Sequence, residues 1–110
     1  MKIKALIPTL REKKRYLAFE VISKTNFTFQ DVARSINNSF TQFFGELSFG
    51  KAGLQVLPEN YDANKGILRV THDFLNQASA SLALIPTINN QSVIVRSLKA
   101  SGAINKLKNV

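Results

Sequence analysis

Hydrophobic positions alternate along residues 15–23 (RYLAFEVIS), with Leu17, Phe19 and Val21 on one side and Tyr16, Ala18, Glu20 and Ile22 on the other. A period of two predicts a strand with one strongly apolar face. The spacing then lengthens. Phe29, Val32, Ala33, Ile36, Phe40, Phe43 and Phe44 recur every three or four residues, which predicts a helix capped by Thr28, with Asp31 in its first turn and Gly45 as its stop. Residues 49–53 (FGKAG) read as a flexible lead into a short strand at 54–57, which Pro58 marks as an edge. Residues 61–66 (YDANKG) read as a turn before a strand at 67–71, giving a hairpin. Asp73 opens a second helix with Phe74, Leu75, Ala78, Leu82 and Ile85 as its apolar stripe, and Pro86 closes it. Asn89 and Asn90 form a turn before a last strand at 92–98, and Ser101 and Gly102 start a short terminal helix running through Lys106 and Leu107.

Strand, helix, strand, strand, helix, strand is the split βαβ order. It predicts an α+β, ferredoxin-like (RRM-like) βαββαβ sandwich: a four-stranded antiparallel sheet, two helices on one face, and a short C-terminal helix. A chain of 110 residues, 45% hydrophobic, supports one core, so residues 1–110 are expected to form a single domain. Within it, residues 1–14 read as a basic arm and 101–110 as a basic C-terminal segment.

Charge changes this picture. The formal net charge is +8, which favours acidic macromolecules as partners. Residues 1–15 hold Lys2, Lys4, Arg11, Lys13, Lys14 and Arg15 against Glu12, and residues 74–110 hold Arg96, Lys99, Lys106 and Lys108 with no acid. The five bases and six acids between them resemble an ordinary solvated surface. In the expected topology the first and last strands are antiparallel neighbours, so Lys13, Lys14 and Arg15 approach Lys99 and the terminal helix. Two runs become one patch. Arg11, Lys13, Lys14, Arg15, Lys99 and Lys106 are therefore the candidate phosphate ligands, and backbone N–H groups near Ser101, Gly102 and Ala103 offer a further site at the helix start.

With Leu17, Phe19, Val21, Leu68, Val70, Val93 and Val95 facing the helices, the opposite sheet face shows Tyr16, Glu20, Ile22, Ile67, Arg69, Ile94, Arg96 and Leu98. Glu20 is expected between Arg69 and Arg96, as a pairing of charges on an exposed sheet. Tyr16, Ile22, Ile67, Ile94 and Leu98 are the candidate protein interface, because an uncovered apolar face suits a protein partner or a second copy. An RNA-recognition motif stacks bases on aromatic residues of its third strand. The third strand here reads GILRVTHD, without an aromatic. Backbone and shape recognition is expected instead, with Tyr16 the one aromatic on that face.

Catalytic chemistry finds little support. Cysteine is absent, which excludes disulfides, thiol nucleophiles and thiolate zinc sites. His72 stands alone where a strand meets a helix, a structural position in most proteins. No GxSxG elbow, GxGxxG or Walker loop occurs. Glu20, Asp62 and Asp73 lie on different elements without ligand-like spacing, so a small metal-dependent nuclease is the weaker rival. No catalytic or metal-ligating residue is assigned. The apolar stretch at 5–7 ends at Pro8, far short of a signal-peptide core, and no segment reaches the roughly 20 apolar residues of a membrane span. The expectation is a cytoplasmic protein without membrane contact.

Three segments carry a family likeness: PTLREKKRYLAFEVIS (8–23), GILRVTHDFLNQASASLALI (66–85) and VIVRSLKASGAINKL (93–107). They resemble the opening, the third strand with second helix, and the last strand with basic tail of the Pop-five family, protein component 2 of archaeal ribonuclease P. Residues 25–64 are less diagnostic, and Asn105 and Asn109 make the tail less basic than in some relatives. The resemblance implies an RNA-binding, non-catalytic subunit of a ribonucleoprotein whose RNA cuts the 5′ leader from precursor tRNA with Mg2+. It also implies a TIM-barrel-like partner, component 3 (the Rpp-thirty homologue), support of the catalytic domain of the ribonuclease P RNA, and a homodimer of this subunit within a heterotetramer. Charge and fold alone serve a subunit of another ribonucleoprotein equally well.

Overall fold

The computed structural model describes residues 13–107. Strand β1 (Lys14–Ile22) sits inside a four-stranded sheet of order β2 (Gln55–Val56), β3 (Lys65–Thr71), β1, β6 (Ile94–Ser101), with every neighbouring pair antiparallel. Helix α1 (Phe29–Phe44), a short α2 (Glu46–Ala52) and α3 (Leu75–Ala83) complete the main layer of helices. A second small sheet pairs β4 (Thr87–Ile88) with β5 (Gln91–Ser92). The ferredoxin-like arrangement is the one the alternation predicts.

The expected inward set is the observed one. Leu17, Phe19, Val21, Leu68, Val70, Val93 and Val95 share one core cluster with Val32, Ile36 and Phe40 of α1 and Ala78 and Leu82 of α3. The Thr28 hydroxyl accepts from the Asp31 N–H at 3.2 Å, capping α1, and Gly45 ends it at φ 91°, a conformation glycine adopts without strain. Ser39 of α1 donates to the Ser81 carbonyl of α3 at 2.7 Å, a buried bond that fixes the two helices side by side. Most phenylalanines of α1 serve packing, since Phe40 is fully buried with its ring 5.2 Å from Phe44 and 6.1 Å from Phe49, and Phe29 packs on the same core; Phe43 is the exception, at 48% exposure.

Several local expectations give way. Residues 49–53 belong largely to helix α2, whose Ala52 is fully buried and whose Phe49 packs on Phe40; Gly53, at φ 58°, is its left-handed terminus. The second helix begins at Leu75 after a 3-10 turn at His72–Phe74, so Asp73 precedes it without capping it. The last strand starts at Ile94, not 92, because Gln91 and Ser92 close a hairpin around Asn89 (φ 53°) and Asn90 (φ 66°). It then runs on to Ser101. The terminal helix is a 3-10 turn at Ile104–Leu107.

One tight turn fixes the register of the central strands. Ala63 (φ 49°) and Asn64 (φ 65°) form a type I′ turn closed by Asp62 and Lys65, which exchange both backbone hydrogen bonds at 2.8 and 2.9 Å. Buried Asn64 then reaches across to the β1–α1 connection. Its Oδ1 accepts from the Phe27 N–H and its Nδ2 donates to the Thr25 carbonyl, each at 2.8 Å. Tyr61 donates its hydroxyl to the Phe27 carbonyl at 2.6 Å, and burial pushes its phenol pKa up from the ordinary value. Next to the turn, a Cβ on Gly66 would lie 2.9 Å from Cζ of buried Phe19.

Two predictions follow from these contacts. Asn64→Ala strands the Phe27 N–H and the Thr25 carbonyl, and is expected to cost about 2–4 kcal/mol, read as a lower urea midpoint at unchanged slope. Asp31 accepts from Asn89 Nδ2 at 2.9 Å, and this bond chiefly holds its carboxyl below the ordinary pKa; the Thr28 side chain and Arg34 add to the shift, and partial desolvation opposes it. A carboxylate lowered in the folded state stabilises it above the unfolded pKa and loses that effect as pH falls through the folded value. Asp31→Asn should therefore flatten the acid side of the melting temperature profile, between about pH 5 and pH 2, and leave its slope at neutral pH unchanged.

Candidate nucleic-acid interface

The start of β1 and the end of β6 meet as the topology requires. Tyr16 pairs with Ser101, Leu17 with Ala100 and Ala18 with Lys99, so Lys14 and Arg15 stand just past the point where the chain leaves β6. Lys13 and Lys14 are exposed and Arg15 is half-buried. The Lys13 carbonyl accepts from the His72 N–H at 2.7 Å, and Lys14 Nζ donates to Thr71 Oγ1 at 3.4 Å. Arg15 Nε is shielded from solvent and finds no hydrogen-bond partner among the described residues. Arg11 lies outside the described residues.

A bulge shapes the other half of the site. The β1–β6 register shifts between Ala18 and Phe19, leaving Leu98 as the extra residue. Beyond it Ala100 packs on the core, while exposed Lys99 is in register with Ala18 of the opposite face. Lys99 is thus about 13 Å along the strand direction from Lys14, within reach of two long side chains on one RNA backbone but not of a single phosphate. The basic residues make a stripe, not a cluster.

The anion site expected at a terminal helix start is not formed. Ser101 is the buried last residue of β6, its Oγ accepts from the Ala103 N–H at 3.1 Å, and the 3-10 turn that follows spends the Lys106 N–H on the Ala103 carbonyl at 3.2 Å. Gly102 and Lys106 are exposed on this connection. Lys51 was missed by sequence reasoning, which treated it as ordinary surface. It lies in the last turn of α2, and its carbonyl accepts from the same Thr71 hydroxyl at 3.5 Å, so α2 brings an exposed lysine to the Lys14 end of the sheet. Only the tertiary placement of α2 reveals it.

The opposite sheet face is partly closed by the chain itself. Leu107 is buried with Ala18, Leu57 and Ile67, and Ile104, Tyr16 and Leu98 pack around them. Ile67, 5% exposed, has little surface left for a partner, and half-buried Tyr16 and Leu98 have lost part of theirs, because the terminal turn covers this end. Ile22 and Ile94, directly paired, stay open at 44% and 63% exposure. Glu20 pairs with Arg96 at 3.0 Å but stands opposite Lys65, not Arg69; Arg69 binds Gln55 instead. Among the described residues no three His, Asp or Glu side chains gather as a metal site, and no helix is long and apolar enough to cross a membrane.

A small ferredoxin-like α+β protein with an aromatic-free third strand and a basic stripe at one end is the class that fold and site define. Residues 15–110 match the model of the Rpp14/Pop5 family, and the chain belongs to that family. It is 36% identical over 105 residues to ribonuclease P protein component 2 of Pyrococcus furiosus, covering 96% of this chain and 88% of that one. It is 35% identical to the protein of that name in Pyrococcus abyssi (98% and 92% covered) and 31% identical to that of Archaeoglobus fulgidus (96% and 94%). A chain in the cryo-EM structure of yeast ribonuclease MRP shares the fold, with a TM-score of 0.69 at 14% identity over 86% of this chain and 77% of that one.

Leu107 is what holds Lys106 over the sheet. Leu107→Ala is expected to speed amide hydrogen exchange at residues 103–107 by roughly tenfold or more while leaving the protection of β1 and β3 in place, because the lost apolar contact anchors only this turn.

Proposed function

We propose that the chain is a protein subunit of ribonuclease P, the RNA-based endoribonuclease that removes the 5′ leader of precursor tRNA, and that it binds the RNA through the stripe at the β1 and β6 ends. The observation that carries this reading is the β1–β6 register, which joins two separate basic runs on a chain related over almost its whole length to proteins named ribonuclease P component 2. Lys13, Lys14 and Lys99, with Arg15 and Lys106 beside them, neutralise phosphates of the folded RNA. Arg11 adds to them. Counter-charge at these points stabilises a compact RNA at lower Mg2+, and the Mg2+ that does the chemistry is held by the RNA. The protein contributes no reacting group. Recognition is of backbone and shape, because the third strand offers no ring for a base to stack on.

The assembly completes the reading. Component 3 is the protein partner, the catalytic domain of the RNA is the nucleic-acid partner, and two copies of this chain occur in a heterotetramer. Precursor tRNA is met through the holoenzyme, in the cytoplasm.

Replacing Lys13, Lys14 and Arg15 together by alanine is expected to weaken binding to ribonuclease P RNA and to flatten the dependence of log affinity on log salt by roughly two to three units. Filter binding across a salt series checks this, with a melting curve to separate lost contacts from the packing of half-buried Arg15. Unchanged affinity and slope in a folded variant would remove the stripe from the reading. Reconstitution tests the larger claim: precursor tRNA cleavage should need the RNA, and the purified protein alone with Mg2+ or Mn2+ should cut nothing.

A further inference from the structure

We infer that a hollow on the sheet face opposite the helices seats one unpaired guanine of the RNA. The hollow measures about 230 Å³. Its floor is the register pair Ala18 and Ile67, one wall is the bulged Leu98 with Leu107 of the tail, and the other is Asn60, Asp62 and Lys65. The depth comes from Ala18, since β1 shows Tyr16 and Glu20 on either side of it and a longer side chain would fill the space. Pockets for drug-sized ligands begin at about 300 Å³, so this one suits a single flat ring system. A floor too recessed for a protein surface is within reach of such a ring.

The two walls differ in chemistry. Leu98 and Leu107 offer apolar contact to the face of a base. On the other side Asp62 presents two acceptors, Lys65 a donor, and Asn60 one of each. Asp62 and Lys65 close the type I′ turn through backbone bonds of 2.8 and 2.9 Å, so their places on the rim are fixed. Both are exposed, and among the described residues neither is in an ion pair. A carboxylate beside an ammonium matches a base edge with two neighbouring donors beside an acceptor. Guanine has that edge, in N1–H, N2–H and O6, whereas adenine, cytosine and uracil each offer a single donor position there.

Charge decides which part of a nucleotide enters. Asp62 repels phosphate, so the uncharged base goes into the hollow. The sugar-phosphate chain passes instead over exposed Lys99 and Lys106, which adjoin Leu98 and Leu107 of the opposite wall. Both lysines belong to the basic stripe, so hollow and stripe are continuous. A free nucleotide is the poorer occupant, because the chain has no glycine-rich loop to hold its phosphates. The inference rests on the RNA-binding reading above, and it adds one base contact to a recognition that is otherwise of backbone and shape.

Kethoxal, which modifies N1 and N2 of unpaired guanines, tests this on ribonuclease P RNA bound to the full chain. The unaltered protein should protect a guanine that Asp62→Asn leaves reactive. In filter binding Asp62→Asn should weaken affinity by roughly tenfold and keep the salt slope. The sign is decisive, because removing a negative charge from a chain of net charge +8 tightens a purely electrostatic contact. Leu98→Trp, which fills the hollow at constant charge, should lose the same protection in a chain whose melting curve shows it folded. Equal or tighter binding by Asp62→Asn, or protection that survives it, would overturn the guanine site. If the joint replacement of Lys13, Lys14 and Arg15 still flattens the slope, the stripe stands without it. Amide NMR shifts at Ala18 and Ile67 on adding 5′-GMP, with a kethoxal pattern that the protein leaves unchanged, would rule out RNA as the source. An unaltered chain that binds no RNA takes both readings down.

Discussion

The antiparallel pairing of β1 with β6 is the constraint on which the rest of the molecule depends. It runs from Ile22 opposite Ile94 to Tyr16 opposite Ser101 and joins residues some 80 positions apart in a chain of 110. β1 is interior, so its other edge is committed to β3, and β3 in turn holds β2. Shifting β1 by one residue would turn Leu17, Phe19 and Val21 away from the helices, so core and register enforce each other. The basic stripe follows from the same pairing. Neither terminal run is unusual alone; the pairing makes them neighbours.

The bulge at Leu98 shows how sheet geometry tunes the surface. With strict alternation to the strand end, Lys99 would lie on the helix side with Val95. One extra residue shifts the parity, so that Ala100 fills the core position and Lys99 falls in register with Ala18 on the opposite face. The same face then receives Ile104 and Leu107 from the tail. A sheet surface that an RNA-recognition motif leaves open for bases is here partly occupied by the chain's own apolar residues. This agrees with an aromatic-free third strand and with the proposed binding through the phosphate backbone.

Much of the fold was legible because its determinants are local. The alternation around Phe19, the Thr28 cap, the Gly45 stop and the Asn89–Asn90 turn each depend on residues a few positions apart, and each falls where the pattern puts it. What escaped depends on distant partners. Residues 46–52 contain a glycine and precede another, a composition that reads as flexible, and they are helical because Phe49 and Ala52 find a core built around Phe40. Residues 101–107 read as a helix with an anion site because nothing within them reveals that Leu107 has a place against the sheet. For the site, the convergence of the two basic ends was legible through topology. The reduced exposure of Ile67 and the position of Lys51 were not.

Charge therefore divides the surface into regions with different tasks. A protein that neutralises RNA must carry excess positive charge, and that charge opposes any assembly in which copies of the protein approach one another. Spreading lysines evenly would make the two demands incompatible. The bases of the two terminal runs gather at one end of the sheet, while α3 and most of α1 carry no ionisable group, so the proposed RNA contact and the helix layer are separate surfaces.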